Sequence, residues 1–127
     1  MPEGAEHVDD RDAYVVLTAR TEVIQKNRAA MLDFFEDFIR ATRWYMDPAN
    51  HEKAVDIVAR YTKVPAPQLQ WIFTKEDFYR DPGATPDIGA IQRSVDMLKE
   101  FGFVKGDLEV KKFADLSLIE EAAGRIK

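Results

Sequence analysis

Two histidines, two serines and a few adjacent acidic pairs are the side chains in this sequence that could carry proton transfer, nucleophilic attack or metal ligation. His7 and His51 lie far apart, and His51-Glu52 lacks the second histidine that a zinc-binding helix places one turn later. His7 belongs to an acidic leader and reads as a solvated tail residue. Ser94 falls mid-helix and Ser117 near a helix start. Neither lies in the strand–turn–helix elbow that activates a nucleophile, and Ser117 is expected to act as a helix cap. The pairs Asp9-Asp10, Glu36-Asp37 and Glu120-Glu121 are adjacent in sequence, so on a helix their side chains point about 100° apart. They suit solvated faces, not a shared proton or a chelated ion. Gly4, Gly83, Gly89, Gly102, Gly106 and Gly124 are too scattered to cradle a phosphate. No catalytic residue, metal ligand or cofactor is assigned, and a non-catalytic role is expected.

Aromatic side chains are the remaining chemical resource. Trp44, Tyr45, Tyr61, Trp71, Phe78 and Tyr79 could line a pocket or groove. Aromatic residues at helical spacing more often fill a core, and that is the expectation for most of them. Trp44 sits away from the middle of the phenylalanine stripe and is expected to face a neighbouring lobe or copy.

Helices must position these residues. Tyr14 to Leu17, within AYVVLTA (13–19), form an unbroken apolar run that suits a strand covered on both faces. LEVKKF (108–113) alternates weakly and is a second, poorer strand. Thr21 to Gln25 suits a short helical turn, and Asn27 is expected to cap a long helix reaching Met46. Met31, Phe34, Phe35, Phe38, Ile39, Tyr45 and Met46 form its apolar stripe. Asp33, Glu36, Asp37, Arg40 and Arg43 occupy the other side, with Glu36 and Arg40 spaced for an ion pair. Asp47-Pro48 opens the next helix, which carries Ala54, Val55, Ile57, Val58 and Tyr61. Val64-Pro65-Ala66-Pro67 breaks it and starts a third, with Leu69, Trp71, Ile72 and Phe73. Residues 79–84 form a loop by composition. Thr85-Pro86 opens a fourth helix bearing Ile88, Ile91, Val95, Leu98 and Phe101, with Gly102 as its stop. Asp115 or Ser117 caps a last helix with Leu118, Ile119, Ala122 and Ala123. The fold class is therefore mostly α, about five helices with one or two short strands.

A chain of 127 residues with 46% hydrophobic and 32% charged residues fits one soluble domain with a real core. We divide it into an acidic flexible leader (1–12) and a single helical domain (13–127). The net charge is −5. Five acids against one base place −4 of it in the leader, so no basic stripe remains to follow a nucleic-acid backbone. No apolar run approaches the ~20 residues needed to cross a bilayer, and the first residues lack the pattern of a secretory signal. As written, the chain is expected to be cytoplasmic. It contains no Cys, which excludes disulfides and thiolate metal sites.

Tyr14 to Glu121 resemble, in order and spacing, the closing section of the solute-binding proteins of nitrate-, taurine- and aliphatic-sulfonate-type ABC importers. That superfamily also includes binders of thiamine pyrimidine precursors. The resemblance is carried by AYVVLTA, Lys26-Asn27, Arg40-Ala41-Thr42-Arg43-Trp44 and Asp47-Pro48-Ala49-Asn50. It continues through Ala54-Val55-Asp56-Ile57, Pro86-Asp87-Ile88, Gly102-Phe103-Val104 and Asp115-Leu116-Ser117-Leu118. It covers most of this chain and the last third to two-fifths of a family member. It implies part of an α/β lobe of the type II periplasmic-binding-protein kind, with AYVVLTA as a hinge-proximal strand. It also implies a small, often anionic solute and an ABC permease as partners of a periplasmic parent. Most ligand contacts in such proteins precede this section, so no ligand-binding residue is assigned.

Two rivals belong to other classes. A stand-alone helical module would bind a partner protein, or itself, through exposed apolar helix faces. An enzyme, suggested by relatives that make the thiamine pyrimidine, lacks a nucleophile, a metal set or a cofactor lysine motif here. The lone buried strand leaves backbone groups without partners, so self-association into a homo-oligomer is expected, by strand pairing or helix exchange.

Overall fold

A computed structural model describes residues 17–78 and 80–126. Five α-helices run in the order α1 (Thr21–Lys26), α2 (Arg28–Met46), α3 (His51–Thr62), α4 (Ile88–Glu100) and α5 (Ser117–Arg125). Single 3-10 turns occupy Pro48–Asn50, Ala66–Leu69 and Val110–Lys112. The fold is mostly α, as expected, and no strand occurs among the described residues.

One strand expectation, 108–113, is corrected, and the other falls mostly outside the described residues. Residues 13–16 lie outside the described residues, and Leu17, Thr18 and Ala19 are exposed without regular structure. The 108–113 segment is a turn, with Lys112 and Phe113 N–H donating to the carbonyls of Glu109 and Val110 at 3.1 and 2.9 Å. The side-chain amide of Gln92 supplies what a neighbouring strand would have supplied. Its Nε2 donates to the Leu108 carbonyl at 3.0 Å and its Oε1 accepts from Val110 N–H at 2.8 Å. A helix side chain thus satisfies the backbone at the start of this turn.

The expected third helix also fails to form. Pro67 has no N–H to donate, and the backbone closes in three-residue steps, Gln68 to Pro65, Ile72 to Leu69 and Thr74 to Trp71. Phe73 then turns left-handed at φ 60°, which no helix can continue through. The fifth helix is instead the short α1.

Cap residues do much of the positioning, although several differ from expectation. Asn27 joins α1 to α2, but its side chain turns backward and donates to the Val23 carbonyl at 2.9 Å, closing α1 instead of opening α2. Asp47 accepts from Ala49 N–H at 2.9 Å and starts the turn into α3 as the Asp-Pro pair predicts. Asp87, not Thr85, caps α4, through Ala90 N–H at 2.9 Å. Gly102 ends α4 at φ 78°: Phe103 N–H reaches the Leu98 carbonyl and Gly102 N–H the Lys99 carbonyl, both at 2.9 Å. That pair of bonds is the Schellman closure, which favours glycine at the left-handed position. Leu116 is the cap position of α5 and offers no side-chain bond; Asp115, one residue earlier, accepts from Ser117 N–H at 3.0 Å, and Ser117 is the first helical residue and not the cap.

The main core joins the two ends of the described chain. Leu32 and Ile39 of α2 pack with Leu118, Ile119 and Ala122 of α5. Met31 and Phe35 border this cluster, as do Ile24, Leu116 and Ile126. Arg28 and Arg125 hold the outer edge of the same contact, bonding Glu121 and Glu36. A smaller buried set, Ala54, Val55 and Ile72, lies where α3 meets the Ala66–Leu69 turn. His51 Nε2 lies 3.1 Å from the Ile72 carbonyl and ties the start of α3 to this turn. Among the described elements, α4 packs on the Val110–Lys112 turn and on no other helix.

Candidate functional site

The polar residues weighed for chemistry are dispersed. His51 is spent on the Ile72 carbonyl, Ser94 bonds back to the Ala90 carbonyl at 3.2 Å, and Ser117 Oγ lies 3.5 Å from Arg28 Nη1. His7, Asp9 and Asp10 lie outside the described residues. Glu36 and Asp37 both contact Arg40, at 3.1 and 3.0 Å, which bears out the expected Glu36–Arg40 pair. Glu121 is drawn between Arg28 at 2.8 Å and Arg125 at 2.6 Å. Those two bonds hold its carboxyl below the usual range, the Arg28 bond contributing most. Glu36 and Glu121 therefore serve helix pairing, whereas Asp37 and Glu120 lie on exposed faces as expected. No group of three or more His, Cys, Asp or Glu among the described residues could hold a metal ion.

Sequence reasoning missed one built polar cluster. The Asp77 side chain is 1% exposed, accepts from Phe73 N–H at 2.7 Å and Phe78 N–H at 2.8 Å, and pairs with Arg80. The Arg80 guanidinium lies 5.1 Å from the Phe73 ring centre and 5.0 Å from that of Phe78. Such cation–π contacts add attraction where water is excluded. The Phe73 ring in turn meets Tyr45 of α2 at 4.5 Å between centres. Asp77 thus holds the backbone of residues 73–78, including the left-handed Phe73, against the end of α2. All three acceptor contacts of Asp77 are internal, which describes a brace. In sequence it appears only as an acid three residues before an arginine, between two phenylalanines.

Two open grooves flank this brace. One, about 510 Å³, is lined by Pro67, Gln70, Trp71, Thr74, Lys75 and Glu76. The other, about 370 Å³, includes Met46, Phe73, Phe78, Arg80 and Pro82. Trp71 and Phe78 therefore do line grooves, and the expectation that they fill the core is overturned. Trp44 and Tyr61 are exposed as well; Tyr45 is half-buried against Phe73, and Tyr79 lies outside the described residues. These aromatics remain outside because the core is thin and already closed by aliphatic residues of α5.

The long helix shows the imbalance most clearly. Ile39 is 0% exposed, whereas Phe34 and Phe38 are 52% and 42% exposed. The Phe34 and Phe38 rings stack on one another at 6.1 Å, and Phe34 meets Phe35 edge-on at 5.4 Å. The one broad stripe expected on α2 is therefore covered along one side only. Leu32, Phe35, Ile39 and Met46 turn inward at least in part, and Phe34 and Phe38 turn outward. Further large apolar residues are exposed on α3 (Ile57, Tyr61) and at the end of α4 (Leu98, Phe101, then Phe103). Ile57 and Tyr61 stand four apart and share one face of α3.

Comparison with known proteins gives no match: no family model, no curated protein and no solved structure is similar to this chain.

Proposed function

We propose that this chain works by association, as a helical interaction module that presents apolar and aromatic helix faces to a macromolecular partner, without catalysing a reaction. The observation that carries this reading is the balance of apolar surface. Among the described residues, fourteen large hydrophobic residues are exposed, and nine hydrophobic residues are buried, three of them alanines. Exposed apolar residues scattered singly are ordinary, but a stacked phenylalanine pair on the exposed side of a helix is the pattern of a contact surface. Burying one large apolar side chain contributes about 1.5–3 kcal/mol, so a few such residues suffice to hold a partner.

The test is direct. A folded chain of this kind either binds an apolar fluorescent dye at its faces or closes those faces in an oligomer. A cooperatively folding monomer that binds no dye contradicts the proposal.

A second reading follows from the resemblance to solute-binding proteins. Helix order supports it: a short helix to Lys26, a long helix through Arg40 to Trp44, Asp47-Pro48 opening the next, and the Gly102 stop. On that reading these helices complete one lobe of a periplasmic binder of a small anionic solute that serves an ABC permease. Calorimetric titration with taurine, an alkanesulfonate and nitrate tests it; heat of binding to one of them supports it, and none for all three removes it.

A further inference from the structure

We infer that the outer face of α2 is a homodimer seam, occupied by the same face of a second copy of this chain running antiparallel. The inference rests on the association reading and names the partner. At about 100° per residue, Ala30, Phe34, Phe38 and Ala41 fall within an arc of about 80° on α2. The inward residues Leu32, Phe35, Ile39 and Met46 centre about 135° away with half-buried Met31 between the two groups, so one broad apolar face of α2 is covered along one side and open along the other. One side is satisfied by α5. The other is a row running Ala30, Phe34, Phe38, Ala41, in which two rings are bracketed by small residues that let a second helix approach closely.

Charge selects the occupant and its direction. One flank of the outer stripe is lined by Asp33 and Asp37 toward the start of α2 and by Arg40 further on. In two parallel copies this flank would face the opposite, uncharged flank of the other copy, with Met31 and Phe35, and Asp33 and Arg40 would find no partner across the seam. In an antiparallel pair related by a two-fold axis, with Phe34 opposite Phe38 of the second copy, Asp33 comes level with Arg40 of that copy and the contact repeats on the other side of the axis. Asp37 lies near the axis, where its own Arg40, at 3.0 Å, offsets the repulsion between the two copies. A self-complementary pattern of this kind is what a two-fold interface requires.

The area sets the strength. A phenylalanine offers about 200 Å² of surface, so the exposed parts of Phe34 and Phe38 sum to roughly 190 Å². With flanking side chains the seam remains well below the ~800 Å² per partner of a standard interface. A weak dimer, in fast exchange with monomer, is therefore expected.

Sedimentation velocity of the whole chain from about 1 to about 100 μM, the range in which so small a contact dissociates, tests the seam. The wild type is expected to pass from monomer to dimer, and Phe38→Glu to remain monomeric. Asp33→Arg and Arg40→Glu are each expected to weaken the dimer about tenfold, and the double variant to recover most of the loss. Positions 33 and 40 are two turns, about 10 Å, apart on one helix. Recovery therefore needs a second copy. Circular dichroism confirms that each variant keeps its helices. A wild type that remains monomeric but binds apolar dye overturns the second copy while leaving the association reading intact. A dimer indifferent to all these changes overturns the seam, and a monomer that binds no dye overturns both.

Discussion

Arg28, in the first turn of α2, donates to Glu121 of α5 at 2.8 Å across 93 positions of sequence. Arg125 completes the arrangement, contacting Glu121 at 2.6 Å and Glu36 at 3.5 Å. These bonds keep the Glu121 carboxyl below its ordinary value of 4.5, the Arg28 bond being the largest cause. Because the folded state lowers this value, the unfolded chain binds the proton more readily. The contribution of Glu121 to stability is therefore complete above about pH 4.5 and is lost as pH falls through the folded value. Asp115 behaves alike, held below 3.8 first by the Ser117 hydroxyl and then by the Ser117 N–H. Urea unfolding followed from neutral pH into the acid range should show the wild type and Glu121→Gln converging as pH falls. A difference between them that stays constant contradicts this account.

Ile39 and Phe34 should respond oppositely to truncation. Ile39 is wholly enclosed between α2 and α5, so Ile39→Ala should cost about 2–5 kcal/mol and remove much of the chain's stability. Phe34→Ala at low protein concentration should stay within about 0.5 kcal/mol of wild type, as surface changes do. Thermal or urea unfolding of the two variants checks the contrast. Equal losses would show that the outward face is packed.

Two glycines should give opposite signs. Gly102 has φ 78° with open space around it, so Gly102→Ala meets no clash and costs about 1–2 kcal/mol in backbone strain alone. Gly124 lies inside α5, with nothing within 4 Å of an added Cβ. Gly124→Ala should stabilise by up to about 1 kcal/mol, reduced by its place near the helix end. Melting temperatures that move the same way for both would refute the assignment.

Asp77→Asn should release the brace. Replacing the carboxylate weakens the bonds to Phe73 and Phe78 N–H and removes the charge that Arg80 faces. The expected cost is about 2 kcal/mol, typical of hydrogen bonds to a charged group. Amide hydrogen exchange should rise at Phe73 and Phe78 while α2 and α5 keep their protection. Unchanged exchange at those two amides would show that the left-handed Phe73 is held by other means.

Local punctuation was legible in the sequence. The Asp47-Pro48 start and the Gly102 stop depend on residues within one turn, and both appear as expected. The span of α2 was equally readable. Which side of the stripe would be buried was not: Met31, Phe34, Phe35 and Phe38 form one unbroken arc of about 100°, and Leu32 escaped the stripe altogether. The choice is made by α5, some eighty residues later, whose Leu118, Ile119 and Ala122 complement Leu32 and Ile39. The third helix was misread because the apolar spacing of Leu69, Ile72 and Phe73 survives in successive turns that make no helix. The brace was invisible for a related reason. It depends on a left-handed phenylalanine, a conformation that sequence offers no reason to expect of a bulky residue. The groove-lining aromatics were read as core because helical spacing records periodicity and carries no information on how much core exists.

Sedimentation velocity of the wild-type chain, repeated with an apolar fluorescent dye, tests the central claim most directly. The account predicts a concentration-dependent dimer whose monomer binds dye and whose formation expels it. A folded monomer at every concentration that binds no dye would contradict it.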